Sequence, residues 1–234
     1  MRETNVPQGL RLGVLTIGQA PRMDLTPEIL PLLTGVELVE SGILDGLTYD
    51  EVLLEEPLPG DHLLTTRMKD GRSVVIGESF VMARLPSVLA DLEARTDAVL
   101  LACTGPFPTL SHSKPLVVPD RVICHCVAGL ADDDTVVGVI APLPAQEKDT
   151  QDKFTRRLQQ QQVITASASP YTSSRQELVA AAEELRVQGV GIIALDCIGY
   201  TEEHRRIVAH TAQVPVVLAR SASARFAMEA LSSI

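Results

Sequence analysis

Residues 189 to 206 read G-V-G-I-I-A-L-D-C-I-G-Y-T-E-E-H-R-R. The apolar run from Val190 to Leu195 fits a strand buried on both faces of a parallel sheet. Asp196 and Cys197 stand at its end, and Ile198, Gly199 and Tyr200 make a turn. Thr201, followed by Glu202 and Glu203, has the character of a helix cap with an acidic first turn. In open α/β sheets, ligands bind at the carboxyl ends of strands, beside helix N-termini. Cys197 is therefore a thiol placed where chemistry occurs. The design recurs once: Asp97-Ala-Val-Leu-Leu-Ala-Cys103-Thr104-Gly105 is again an apolar strand, a cysteine and a glycine-containing turn.

Outward from these stretches, strands alternate with helices along the whole chain. Strands are expected over residues 10–17, 36–41, 98–103, 116–118, 135–140, 163–168, 190–195 and 214–218. Helices are expected over 79–95, 174–188, 202–211 and 221–231, with a short one after Thr48 and a helix or turn over 121–130. Pro86 should kink the first of these. The polar stretch 146–161 reads as a solvated helix, and residues 1–9 as a frayed tail. Lys69-Asp70-Gly71-Arg72 between two apolar-rich runs signals one antiparallel hairpin. The pattern is an α/β fold with mainly parallel sheets. It suggests two Rossmann-like subdomains of similar design, residues 1–119 plus 215–234 and residues 120–214. Facing each other with pseudo-two-fold symmetry, they would bring Cys103 and Cys197 to one cleft.

The chain has 234 residues, 45% of them hydrophobic but only 3% aromatic, so aliphatic side chains must fill the core. With 20 basic against 30 acidic residues the net charge is −10, which argues against nucleic acid or an anionic membrane as partner. No apolar run approaches the roughly 20 residues of a membrane span, and the N-terminal stretch lacks a leader pattern. Cys103, Cys124, Cys126 and Cys197 are expected as thiols of a cytoplasmic protein rather than a disulfide framework. A two-fold homodimer is the default assembly.

Each candidate has a plainer reading. A strand-end cysteine is by default a small hydrophobe; two of them at matching positions favour function. Cys124-His125-Cys126 invites a metal, but no second Cys/His cluster completes a site, so none is assigned. The turn Gly18-Gln19-Ala20-Pro21-Arg22 contains neither a GxGxxG nor a Walker pattern, which disfavours a nucleotide; no cofactor is assigned. Arg22 is either a forked clamp for a carboxylate or a surface arginine. His112 and His204 read as surface residues with a minority claim on the site. Asp196 points away from Cys197 in a strand and reads as structural. No G-x-S-x-G elbow occurs.

With these residues in view, the chain resembles the AroM family. Leu15-Thr16-Ile17-Gly18-Gln19-Ala20-Pro21-Arg22-Met23-Asp24 matches the family's N-terminal signature, and Leu195-Asp196-Cys197-Ile198-Gly199-Tyr200 its C-terminal one. That family in turn resembles the aspartate/glutamate racemase superfamily, in which two Rossmann-like domains each give one cysteine to a cleft without cofactor or metal. The resemblance implies that Cys103 and Cys197 carry out 1,1-proton transfer alpha to the carboxylate of a small amino acid or related acid. It also implies that Gly18, Gln19, Thr104, Gly105, Gly199, Tyr200 and Thr201 hold that carboxylate. A cysteine-dependent decarboxylase, a cis-trans isomerase and a non-catalytic carboxylate-binding protein are the alternatives.

Overall fold

The computed structural model describes residues 9–159 and 161–233. The tail expected over residues 1–9 lies, except for Gly9, outside them, as does Gln160 of the helix expected over 146–161. The chain divides into two compact units. One runs up to Ala102 and adds Phe107–Val118 and the segment from Ser223; the other comprises Cys103–Pro106 and Pro119–Ala222.

The first unit contains β1 (Leu10–Thr16), α1 (Thr26–Ile29), β2 (Val36–Gly42), α2 (Tyr49–Leu53), β3 (Leu63–Arg67), β4 (Ser73–Gly77), α3 (Glu78–Glu93), β5 (Ala98–Ala102) and β6 (Leu116–Val117). Its parallel sheet has the order β2-β1-β5-β6. β1 and β5 are buried almost throughout, as central parallel strands covered on both faces must be. The expected hairpin is β3-β4, antiparallel in register from Leu63 opposite Gly77 to Arg67 opposite Ser73. It closes through Gly71 at φ +90°, a conformation that glycine adopts without penalty. Thr48 caps α2 with a reciprocal bond to Glu51. α3 runs on through Pro86 without a break. Proline inside a helix costs about 3 kcal/mol, whereas burying Val81, Leu85, Leu89 and Leu92 contributes about 1.5–3 kcal/mol per side chain.

The second unit contains α4 (Pro119–Ala128), β7 (Val137–Ala141), α5 (Glu147–Leu158), β8 (Val163–Ser167), α6 (Arg175–Val187), β9 (Ile192–Leu195), α7 (Glu202–Ala212) and β10 (Val216–Leu218); α8 (Ala219–Leu231) begins in it. Its sheet is also parallel, in the order β10-β9-β7-β8. Read in chain order, both sheets are wound second-first-third-fourth. The switch point where ligands gather in such sheets falls between β1 and β5 in one and between β7 and β9 in the other. Cys103 follows β5 and Cys197 follows β9, so each thiol closes the third strand of a like-wound sheet. α5 departs from the solvated helix expected: Thr150, Lys153, Phe154 and Leu158 form a buried stripe, with Phe154 and Leu158 in the aliphatic cluster beside β7 and β8. No helix among the described residues is long and apolar enough to cross a membrane.

Candidate active site

The expected site residues fall into two groups. Gly18, Gln19 and Arg22 belong to the first unit; Cys103, Thr104, Gly105, Cys197, Gly199, Tyr200 and Thr201 belong to the second.

In the first group every side chain already has protein partners. A Cβ on Gly18 would lie 2.3 Å from the Arg67 carbonyl oxygen, so glycine is what lets the β1 turn pack against the hairpin. Gln19 donates its Nε2 to the carbonyls of Leu44 (3.0 Å) and Leu47 (2.6 Å) and accepts the Lys69 N–H on Oε1 (3.0 Å). Arg22 is neither at the surface nor open: it is 2% exposed. Its Nε and Nη2 fork onto the two Asp24 oxygens at 2.7 and 2.8 Å, and Nη1 donates to Thr16 Oγ1 at 2.8 Å. Burial opposes the charge on Asp24, but the Arg22 hydrogen bond and charge, aided by Arg67, hold its carboxyl below the usual value.

In the second group the two cysteine turns are built alike. The Gly105 N–H donates to Cys103 Sγ at 3.3 Å, and the Gly199 N–H donates to Cys197 Sγ at 3.4 Å. An N–H two residues on favours sulfur in its charged form. Both thiols are buried, Cys103 at 7% and Cys197 at 5% exposure. Burial above all pushes Cys103 up to about 12, with negative charge on Cys197 and Asp196 adding to the rise and the Gly105 N–H and Lys153 opposing it. Charge on one thiol thus disfavours charge on the other. The pair is therefore disposed against holding two thiolates at once.

Hydrogen bonds tie these turns together inside the second unit. Thr104 Oγ1 donates to the Asp196 carbonyl at 3.0 Å. Lys153 Nζ donates to the Thr104 carbonyl at 3.0 Å and to Asp196 Oδ2 at 2.6 Å, and stands 3.5 Å from Asp120 Oδ1. Arg157 Nη2 completes the chain on Asp120 Oδ2 at 2.7 Å. Burial works against the charge on Lys153, but Asp196 and Asp120 outweigh it and keep the ammonium protonated above its ordinary range.

The turn after Cys197 is braced on every side. Arg220 Nε donates to the Ile198 carbonyl (3.0 Å) and Nη2 to the Gly199 carbonyl (3.1 Å). The buried Tyr200 hydroxyl is held between the carbonyls of Ala168 and Ala141, so its role here is to brace the turn. A Cβ on Gly199 would meet the Tyr171 ring at 2.5 Å. Thr201 caps α7 as expected, and its partner is His204: Thr201 Oγ1 accepts the His204 N–H at 3.3 Å and His204 Nδ1 accepts the Thr201 N–H at 3.1 Å. His204 is half-buried, edge-on to Tyr200 with centroids 5.8 Å apart, rather than on a solvated face. His112 is exposed, with Nδ1 2.9 Å from the Lys114 carbonyl oxygen. Cys124 is buried and Cys126 half-buried, and both are free thiols. No group of three or more metal-ligating side chains occurs among the described residues.

Lys153, Asp120, Arg157 and Arg220 escape the sequence reading. Phe154 and Leu158, four residues apart, are the one signal that α5 has a core face, and Lys153 borders it. Arg220 carries only the hint of a cation two residues after a fully apolar strand.

Two parallel sheets of identical winding, each with a thiol after its third strand, mark the class of protein. The chain has the fold of the aspartate/glutamate racemase superfamily. It is similar to glutamate racemase isoform RacE1 from Bacillus anthracis (14% identity, 97% of this chain and 83% of that one, TM-score 0.63). It is similar also to an unliganded arylmalonate decarboxylase (12% identity, 95% and 92%, TM-score 0.59) and to an aspartate racemase from Picrophilus torridus (12% identity, 95% and 94%, TM-score 0.57). No curated protein matches the sequence. Within this fold the chain belongs to the AroM family, whose model, described as AroM protein, matches residues 12–231.

Proposed function

We propose that this protein is a cofactor-independent isomerase that moves a proton at a carbon alpha to a carboxylate, with Cys103 and Cys197 as the two proton carriers. The observation that carries the reading is the matched pair of thiols. Each follows the third strand of its sheet, each receives the N–H of a glycine two residues on, and charge on one bears on the other. One thiolate removes the α-proton and becomes a thiol; the electron pair passes into the carboxylate as an enolate-like dianion. The second thiol then protonates the opposite face and becomes the thiolate. The enzyme ends with its proton on the other sulfur and runs in reverse with the mirror-image substrate. Backbone N–H groups at the two cysteine turns hold the carboxylate and meet the developing charge. The substrate is a small amino acid or related acid. The reading carries with it a homodimer in a reducing cytoplasm, for which sedimentation and cell fractionation are the checks.

The experiment is deuterium incorporation in D2O, followed by NMR, with a panel of amino acids, hydantoins and 2-substituted malonates. Exchange at an α-carbon is expected. Loss of either proton carrier should lower racemisation by about 10²–10⁴-fold, in both Cys103→Ala and Cys197→Ala. Normal racemisation by both variants would sink the mechanism. Similarity to arylmalonate decarboxylase at nearly the same TM-score favours one second reading. Loss of CO2 from a malonate leaves a carbanion that needs only one proton, and then a single cysteine is essential. Tight carboxylate binding with neither exchange nor CO2 release would point to a binding protein.

A further inference from the structure

We propose that Lys153 is a positioning residue for the thiol pair: its buried ammonium fixes the Cys103 turn against the Cys197 turn and supplies the positive field that lets one sulfur hold a charge. Three features of its placement carry this. Lys153 is 5% exposed and reaches the one backbone carbonyl directly after Cys103 and the one carboxylate directly before Cys197. A lysine serving only as an ion-pair partner would have no need of the Thr104 carbonyl. Its third neighbour, Asp120, is itself neutralised by Arg157, so the four charges sum to zero and leave the ammonium as the member aimed at both turns. Asp196, in turn, spends one oxygen on Lys153, while Oδ1 is buried with no hydrogen-bond partner among the described residues. A buried carboxylate satisfied on one side only is retained at a cost. Its position next to Cys197 and its opposite sign to Lys153 suit it to set the balance of charge at the thiols.

The charged and titratable groups facing Cys103 within this unit include Cys197, Lys153 and Asp196. Those facing Lys153 include Asp196, Asp120 and Cys124, and Tyr200 lies close enough to feel Cys197 and Asp196. Among them Lys153 is the cation that bears on the Cys103 sulfur, and it outranks the opposing Asp196. Lys153 and Asp196 should therefore act in opposite directions on thiol ionisation. A merely structural role predicts no such opposition: any damage to the packing would loosen both turns alike.

This inference deepens the two-thiol reading but is tested without substrate, so its failure is separate from failure of that reading. The ligand-free protein is alkylated with iodoacetamide across a pH series, and peptide mass spectrometry follows each cysteine separately. In Lys153→Met, the alkylation profile of Cys103 should shift up by about one pH unit, read as a tenfold slower reaction at fixed pH. In Asp196→Asn it should shift down by a comparable amount, and Lys153→Arg should restore most of the parent profile. Cys124, which shares the field of Lys153 and Asp196, should follow Cys103. Cys126 is shifted by burial alone and should stay put in every variant. If Lys153→Met does not fold, the Asp196→Asn profile decides by its sign. Movement of both variants in the same direction, an unmoved or raised profile in Asp196→Asn, or equal movement of Cys126 would overturn the proposal.

Discussion

Replacing Arg22 by methionine separates two roles that the sequence leaves open for this side chain. Methionine keeps the length and apolar bulk and removes the guanidinium. Three hydrogen bonds go with it, two to Asp24 and one to Thr16, and the Asp24 carboxylate stays behind without its main partner. Removing one member of a buried pair costs about 3–5 kcal/mol. Asp24 retains a fifth of its side-chain surface in water, so the lower end, about 3 kcal/mol, is the expected loss at pH 7. The loss should shrink in acid. Asp24 is held below its unfolded value by Arg22, so its contribution is present above the unfolded value near 3.8 and disappears as pH falls through the folded one. Urea denaturation at pH 7 and at about pH 3, combined with hydrogen exchange resolved to β1 and β2, reads both effects. Asp24→Asn serves as the control that should lose most of its pH dependence. Unchanged stability at pH 7 together with weakened carboxylate binding would refute this reasoning and return Arg22 to the role of a substrate clamp.

Two further outcomes follow from the Cys197 turn. Tyr200→Phe should cost about 1–3 kcal/mol in urea unfolding, because it deprives buried carbonyls of a donor, and should lower exchange activity without altering the mass-resolved reactivity of Cys126. Thr201→Ala should cost about 1 kcal/mol through loss of the α7 cap; Thr201→Ser should recover most of it, and an alanine variant as stable as the parent would show that His204 alone sustains the cap.

Where local chemistry decides structure, the sequence was readable. The alternation of apolar runs with amphipathic helices specifies parallel α/β winding, Asp70-Gly71 specifies the hairpin, and Thr48, Ser174 and Thr201 announce helix starts that the capping bonds realise. Cys103 and Cys197 were legible for the same reason, since the end of a buried strand is a local feature. What escaped depends on contacts distant in sequence. Lys153 lies in a helix of strongly polar composition, and its partners Thr104 and Asp196 are decades of residues away in either direction. No periodicity within α5 distinguishes a lysine aimed at a carboxylate from one aimed at water. Arg22 was ambiguous for the same reason, as its burial is set by Thr16 and Glu40 of neighbouring strands. Gln19 and Tyr200 were legible as members of signature turns, but the carbonyls that occupy their side chains could not be named from those turns.

The protonation of Cys103 bears on what the site can do. Burial pushes the Cys103 thiol up to about 12, so Cys103 is disposed to act as a proton donor at pH 7. It suits both proton-transfer readings. An isomerase needs one sulfur protonated to deliver and the other charged to remove, and the mutual repulsion of the pair disfavours charge on both at once. A decarboxylase needs only the delivery. Cys197 therefore decides between them: Cys197→Ala should abolish α-exchange while leaving CO2 release from a malonate intact if the pair divides its labour between two substrates, and should abolish nothing if Cys103 alone carries the chemistry. Loss of both activities would mean that the turn after β9, held by Arg220 and Tyr200, is needed for any carbanion to form.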